Sequence, residues 1–190
     1  MMNIIEQLGT AEQIVNKSKF LAWAGCCQTE KQVHAFLSAI ALQHQNASHL
    51  AYAFRLKTSA GIIIRFSDAG EPSGTAGKPI LQFLEGQRLI NACVGVIRYY
   101  GGVNLGKGGL ARAYGGTAKL ALEAATLKPY VEMKELKMTV EYNQLEALIK
   151  AVTLIGGDVI EKIFAEKVLL SIRLPIAEQE AFKNRFQSEY

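Results

Sequence analysis

Cysteine is scarce in this sequence, and no arrangement of cysteines typical of a metal or disulfide protein is present. The 190 residues include three cysteines, with neither a CxxC pair nor a Cys/His pattern at zinc spacing. Cys26 and Cys27 are adjacent, which disfavours a disulfide between them, and Cys93 lies in an apolar run. We therefore interpret all three as reduced, buried thiols of a cytoplasmic protein.

Long apolar segments are missing as well. No window approaches the roughly 18 apolar residues that a membrane-spanning helix requires, and the N-terminal residues lack the basic start of a signal peptide. There is also no internal repeat and no low-complexity tract. What is present is an ordinary globular balance, with 49% hydrophobic and 20% charged residues. We expect a cytoplasmic protein with no membrane segment, no metal site and no cofactor.

The charge is divided unevenly along the chain. Residues 131–190 contain eight Lys or Arg and ten Asp or Glu, a net charge of −2, whereas residues 1–130 contain thirteen and seven, a net charge of +6. The basic excess of the first part favours an anionic partner such as phosphate or nucleic acid. It is equally compatible with a solvated basic face that binds nothing, because it falls short of the dense basic footprint of a strong nucleic-acid binder.

Hydrophobic periodicity predicts alternating strands and helices over the first 125 residues. The expected strands are 20–27, 50–57, 62–66 and 90–100, and the expected helices are 30–44, 79–85 and 110–125. The run at 90–100 is continuously apolar, which is typical of a central strand buried on both faces.

A linker is predicted at residues 128–130, where the sign of the charge changes and Pro129 cannot continue a helix. Beyond it the patterns predict strand 136–142, helix 144–155, strands 159–164 and 168–174, and helix 177–186. This β-α-β-β-α order resembles a small ferredoxin-like domain. We therefore predict an α+β protein with one domain over 1–129 and a second over 130–190.

The segment from Arg98 to Gly116 is the most unusual part of the sequence, because seven of its nineteen residues are glycine. Each glycine costs about 0.5–1 kcal/mol inside a regular element, so we expect a strand to end before Gly101 and a helix to start after Gly109. Backbone N–H groups between them, the helix N-terminus and Lys107 together form a plausible anion-binding nest. The candidate ligand-binding residues here are Arg98, Tyr99, Gly101, Gly102, Gly106, Lys107, Gly108, Gly109 and Arg112.

Two nucleotide-binding motifs match this segment only in part. Residues 101–107 fit the GxxxxGK pattern, but Gly108 stands where a P-loop needs Ser or Thr for magnesium. Residues 106–111 fit the dinucleotide fingerprint, but no βαβ unit of suitable length follows, and the nearest acidic residue, Glu123, falls within the helix. We reject both motifs.

A second loop, residues 68–77, contributes two carboxylates. Asp68 and Glu71 are candidates for an acid/base pair or for metal ligands. Alternatively, either of them caps a turn or pairs with Arg98 or Arg112.

The neighbourhood of this loop adds four further candidates. His49 is a candidate base or ligand, although a lone histidine is more often structural. Ser73, Thr75 and Lys78 are candidates for ligand binding; no His-Asp relay accompanies the two hydroxyl groups, so loop hydrogen bonding is favoured over nucleophilic catalysis.

Four stretches of sequence in this order resemble the Impact/YigZ family: Lys17–Phe20, His49–Phe54, Ser67–Ile80 and Arg98–Gly116. The resemblance covers about residues 15–126, and the remainder is similar to the bacterial YigZ-type arrangement. One departure is Ala69, where the family commonly has Asp or Gly.

The resemblance implies a fold and a cellular context that spacing alone does not. The N-terminal domain is expected to have the βαβ fold shared by a small-subunit ribosomal protein domain and GHMP small-molecule kinases. The C-terminal domain is expected to resemble the ferredoxin-like domains of elongation factor G. Eukaryotic relatives are linked to control of translation initiation, and a nucleic-acid or ribosome-associated role has been suggested for bacterial ones. Some carry a peptidase label, for which this sequence has no matching constellation.

Three functions remain open at this point. The favoured one is a non-enzymatic, translation-associated regulatory protein that binds RNA, the ribosome or another phosphate-like anion through the basic Gly-rich surface, with Tyr99, Tyr100 and Tyr114 available to stack on bases. The second is an enzyme of the hydrolase or transferase class that acts on a small anionic substrate with Glu71 or Asp68 as acid/base. The third is a protein-interaction module that uses the C-terminal sheet. The sequence does not give the oligomeric state.

Overall fold

The computed structural model describes residues 1–186, and they form two compact units, Met1–Tyr130 and one that begins at Val131. Both units combine helices with antiparallel sheets, so the predicted α+β class is confirmed. The division into two domains, with a boundary after residue 129, stays a prediction. None of the described helices is long and apolar enough to cross a membrane.

The first unit contains seven strands and three helices. In chain order these are β1 Asn3–Gln7, β2 Gly9–Val15, β3 Ser18–Cys26, α1 Glu30–Gln43, β4 His49–Thr58, β5 Gly61–Ser67, α2 Gly77–Gly86, β6 Ala92–Tyr99, α3 Gly106–Ala124 and β7 Thr126–Pro129.

A five-stranded antiparallel sheet with the order β2-β3-β6-β4-β5 forms the centre of this unit. Strand β6 is buried along nearly its whole length, which confirms the central strand predicted from its apolar run. Helices α2 and α3 cover one face, where the main core lies, and α1 covers part of the other face. The sheet therefore fixes the start of β4 and the ends of β5 and β6 beside the starts of α2 and α3.

Strands β1 and β2 were not predicted, because their hydrophobic signal is weak. Only Ile5 in β1 and Gly9 in β2 are buried. Strand β1 pairs with β7, so two of the three predicted linker residues, Lys128 and Pro129, lie instead in a strand.

Helix α3 begins at Gly106, so the expectation that it starts only after Gly109 is wrong. Helix propensity is a weak preference that packing overrides. Here Leu110, Ala113 and Tyr114 are buried against the sheet and hold the first turns in place.

The second unit contains β8 Met133–Val140, α4 Leu145–Leu154, β9 Asp158–Phe164, β10 Val168–Pro175 and α5 Gln179–Phe186. The three strands form an antiparallel sheet with the order β8-β10-β9, and a separate core lies between this sheet and the two helices. The predicted β-α-β-β-α order is therefore present. The ferredoxin-like assignment itself stays a prediction, as does the likeness of the first unit to a ribosomal protein domain.

The cysteines are partly as predicted. Cys27 and Cys93 are buried, but Cys26, at the end of β3, is exposed. The interpretation of three buried thiols is therefore wrong for Cys26, because it lies where the strand leaves the sheet.

Candidate functional site

Glu71 lies at the centre of a buried polar network that joins three elements. Its Oε1 atom accepts hydrogen bonds from Arg98 Nη1 at 2.9 Å and from the Tyr114 hydroxyl at 2.8 Å. The side chains of Glu71 and Arg98 are 4% and 7% exposed. Because Glu71 lies in the loop after β5, Arg98 in β6 and Tyr114 in α3, this one carboxylate fixes the loop against both the sheet and the helix.

The register of the sheet places Arg98 where Glu71 can reach it. Arg98 is directly opposite Phe20 in β3 and His49 in β4, so the three side chains lie on the same face. Its guanidinium carbon lies 5.7 Å from the centre of the Phe20 ring and 5.1 Å from that of Tyr100, and Nη2 donates to Ser18 Oγ at 3.3 Å. The arginine therefore packs against two aromatic rings while it donates hydrogen bonds to Ser18 and Glu71.

Tyr114 acts as a fixed donor within this network. It is fully buried and packs edge-on against Phe20, with 5.1 Å between the ring centres. Burial, together with the neighbouring Glu71 carboxylate, raises the pKa of Tyr114 far above the usual range. The phenol keeps its proton, and the proposed role of Tyr114 in stacking on RNA bases is wrong because no ring face is accessible.

His49 borders the network and is partly open to solvent. Its Nδ1 atom is 2.8 Å from the carbonyl oxygen of Ala69, and since a carbonyl only accepts, Nδ1 carries a proton. Its Nε2 atom lies 4.0 Å from Glu71 Oε1, and the side chain is 28% exposed. His49 is thus oriented by the loop, with its second nitrogen toward the buried carboxylate.

Asp68 closes the loop onto the start of α2. One carboxylate oxygen accepts from the N–H groups of Ala76 and Gly77 at 2.9 and 2.8 Å, and the other accepts from Gly74 at 2.8 Å. Partial burial alone would raise the pKa of Asp68, but these three backbone hydrogen bonds outweigh it and hold the pKa below its usual value. Of the alternatives left open by the sequence, Asp68 caps a turn and Glu71 pairs with Arg98.

The other predicted residues of this loop have different surroundings. Thr75 is buried and donates to the carbonyl of Pro72 at 2.6 Å, so its hydroxyl stabilises the turn. Ser73 and Lys78 are exposed.

Gly101 lies where the chain leaves β6 and passes close to the backbone of the turn between β2 and β3. A Cβ atom at this position would overlap the carbonyl group of Lys17, so only glycine fits. Its N–H group donates to Ser18 Oγ at 3.2 Å, the same hydroxyl that accepts from Arg98. Ser18 therefore connects the Gly-rich segment to the Glu71 network.

The start of α3 is exposed and has no side-chain cap. Leu105 occupies the cap position and makes no side-chain capping hydrogen bond, and the first turn contains no acidic residue. Gly106, Lys107 and Gly108 are exposed, and Arg112 Nη1 comes within 3.5 Å of the place where a Cβ of Gly108 would lie. Within residues 1–186, Lys107 and Arg112 have no ion-pair partner. Exposed backbone N–H groups and the cationic side chains of Lys107 and Arg112 thus lie at the same end of α3.

The sequence identified most of these residues but not their grouping. Glu71, Arg98 and His49 come together, whereas Tyr99 lies on the opposite sheet face and bonds to His44 at 2.9 Å. Ser18 was missed; the only signal for it was its place in the Lys17–Phe20 stretch. Among the described residues, no group of three or more His, Cys, Asp or Glu side chains could hold a metal ion.

Comparison with known proteins assigns the family. The model of the Impact N-terminal domain matches residues 16–122. The chain is 39% identical over 165 residues to an IMPACT family member in the pol 5′ region of Thermus thermophilus, covering 85% of this chain and 87% of that protein. It is 33% identical over 174 residues to the IMPACT family member YigZ of Escherichia coli, covering 91% and 85%.

A solved structure agrees with these matches. A crystal structure of a hypothetical protein superposes with a TM-score of 0.73 at 31% identity, covering 97% of this chain and 90% of that one. The likeness extends over nearly the whole chain and therefore supports the α+β class of the fold. On the family match and the identity over most of its length, this chain belongs to the Impact family, as a YigZ-type member.

Proposed function

We propose that this protein binds the phosphate groups of RNA through the start of α3, in a regulatory role connected with translation. The observation that carries the proposal is the exposed, uncapped first turn of α3, where Lys107 and Arg112 have no carboxylate partner within residues 1–186. Because no carboxylate within residues 1–186 pairs with these two cationic side chains, we expect them to bind an anion from outside the chain.

The helix geometry adds to the charge. The first N–H groups of a helix have no partner within it, and the helix dipole adds partial positive charge at this end. Glycine at 106 and 108 leaves these N–H groups unshielded by side chains. The residues of the first unit carry a net charge of +6, which favours the approach of a polyanion.

RNA fits this surface better than a small anion does. Tyr100 is 51% exposed, one side of its ring faces the Arg98 guanidinium, and its hydroxyl donates to Asn104 at 3.3 Å. A ring held in this way offers its other face to a base, while the start of α3 takes a phosphate. Eukaryotic relatives, as the resemblance to the Impact/YigZ family implies, are linked to control of translation initiation, which favours a ligand of the translation machinery.

The enzyme alternative has less support from the geometry. Asp68 accepts three backbone hydrogen bonds and Glu71 accepts from Arg98 and Tyr114, so both carboxylates already stabilise the fold. The His49 side chain is 28% exposed and therefore partly accessible from solvent.

Fluorescence anisotropy with a labelled single-stranded RNA tests the proposal. The double variant Lys107→Ala plus Arg112→Ala is expected to bind at least about tenfold more weakly at low salt, and the slope of log K against log salt should fall by about 1–2. A matched control removes two exposed lysines elsewhere, Lys31→Ala plus Lys150→Ala. Equal losses in both double variants would mean that binding depends on charge alone and not on this site.

A further inference from the structure

Strand β5 lies at the edge of the central sheet and carries an exposed apolar stripe. Among the described strands it pairs only with β4. Ile62, Ile64 and Phe66 are 39%, 38% and 47% exposed, and alternate residues of a strand share one face. We refer to these three residues as the β5 stripe.

The β5 stripe lies on the face of the sheet that α2 and α3 cover. Phe66 is directly opposite Ala53, which is fully buried in the core beneath these helices. Helix α2 packs more extensively on β4 than on β5, so the stripe lies beside the helix and not under it. An edge strand with unpaired backbone groups and exposed apolar side chains is a template for another strand, and proteins usually cover or charge such edges.

We propose that the β5 stripe is the interface for a second copy of this chain, which pairs its own β5 antiparallel and extends the five-stranded sheet to ten strands. A two-fold axis at Ile64 makes the stripe complementary to itself. Ile64 then lies opposite Ile64 of the second copy, and Ile62 lies opposite its Phe66. Six partly exposed apolar side chains bury one another, as cross-strand pairs do within a sheet.

Charges on α2 suit the same arrangement. Lys78 and Glu85 are exposed, seven residues apart on one helix face, and neither has an ion-pair partner within residues 1–186. That face is turned away from α3, because Pro79 and Phe83 contact Gly115 from the other side. The two-fold axis reverses α2 end for end, so the Lys78 end of one helix faces the Glu85 end of the other.

The size of this interface predicts a weak dimer. Stable complexes bury about 1,200–2,000 Å² in total, and one strand edge flanked by one helix from each copy falls at or below the lower end of that range. We therefore expect a dissociation constant on the order of 10 µM and a monomer–dimer equilibrium that follows concentration. The inference is independent of the proposed RNA site, since neither Lys107 nor Arg112 takes part.

Sedimentation velocity over about 1–300 µM, without RNA, tests the proposal. The wild type should shift from monomer to dimer, and Ile64→Lys should remain monomeric because two like charges would face each other at the axis. The matched control is Ile14→Lys, which charges an equally apolar and 69% exposed residue of β2, the opposite edge strand. This control should dimerise like the wild type.

Charge reversal on α2 gives a second test at exposed positions that leaves the strand unchanged. Lys78→Glu and Glu85→Lys should each weaken the dimer about threefold or more, and the double variant should restore it. The proposal is overturned if the wild type stays monomeric throughout, if Ile64→Lys dimerises normally, or if Ile14→Lys loses the dimer equally. Circular dichroism confirms the fold of each variant; if Ile64→Lys does not fold, failure of the double variant to restore the dimer overturns the proposal.

Discussion

At the scale of single residues, the Glu71 carboxylate makes the contacts that hold the candidate site together. It joins Arg98 of β6 and Tyr114 of α3 to the loop that follows β5, and all three side chains are buried. A buried ion pair adds little net stability when it is compared with apolar packing, but the removal of one partner leaves the other charge unpaired. The network is therefore sensitive to single substitutions.

Replacing this carboxylate by an amide of the same size should be strongly destabilising. For Glu71→Gln we expect the free energy of unfolding to fall by about 3 kcal/mol, because Arg98 remains buried without its counter-charge. Urea denaturation measures the loss. The exposed pair of Lys19 and Glu12, 2.8 Å apart, provides the comparison, and Lys19→Ala should cost less than about 1 kcal/mol. Similar losses in the two variants would contradict a structural role for the buried pair.

The Asp68 cap predicts a pH dependence of stability. Because three backbone N–H groups hold its pKa below the unfolded value of about 3.9, the stabilisation is complete above that pH and is lost as the pH falls through the folded pKa. Asp68→Asn should therefore lower the unfolding free energy by about 1–3 kcal/mol at pH 7. Toward pH 3 the difference from the wild type should shrink. Urea denaturation at both pH values measures it, and a difference that does not change with pH would refute the cap.

At the scale of elements, the Gly-rich segment combines glycines with different roles. Gly101 leaves no space for a Cβ atom because the Lys17 backbone passes against it. Gly102 has a φ of +80° but open space around it. The first glycine therefore serves a close backbone approach and the second a left-handed turn.

Alanine substitutions should separate these two roles. Gly101→Ala is expected to cost more than about 3 kcal/mol of unfolding free energy, since the hairpin of β2 and β3 must move away from β6. Gly102→Ala should cost only about 1 kcal/mol, the price of a left-handed conformation. Chemical denaturation of the two variants gives the comparison, and equal costs would show that the close approach is absent.

The elements that the sequence predicted are those with an unbroken local signal. The continuous apolar run predicted β6. The Ser67–Ile80 and Arg98–Gly116 stretches predicted the two segments that supply Glu71 and Arg98 to the site. The start of α3 was placed too late, because the low helix propensity of Gly106 to Gly109 is overridden by burial of the residues that follow. Which of the two carboxylates would meet Arg98 was also beyond prediction, since it depends on a contact across 27 residues.

At the scale of the whole molecule, each unit has its own core and its own sheet, and the candidate site belongs entirely to the first. The basic excess of the chain lies in the same unit. The Glu71 network then acts as a rigid support, while the exposed start of α3 presents the cations. The family match covers residues 16–122 of this unit, a range that contains the Glu71 network and the start of α3.

The most direct test of the central claim is an amide NMR titration of the full chain with single-stranded RNA. We expect the largest shifts at the amides of Gly106, Lys107 and Gly108, and smaller ones at Tyr100, because the phosphate accepts from the first turn of α3 while a base stacks nearby. Amides of the second unit should keep their positions. Shifts confined to residues 131–186, or no shift at the start of α3 under conditions where RNA binds, would contradict the claim.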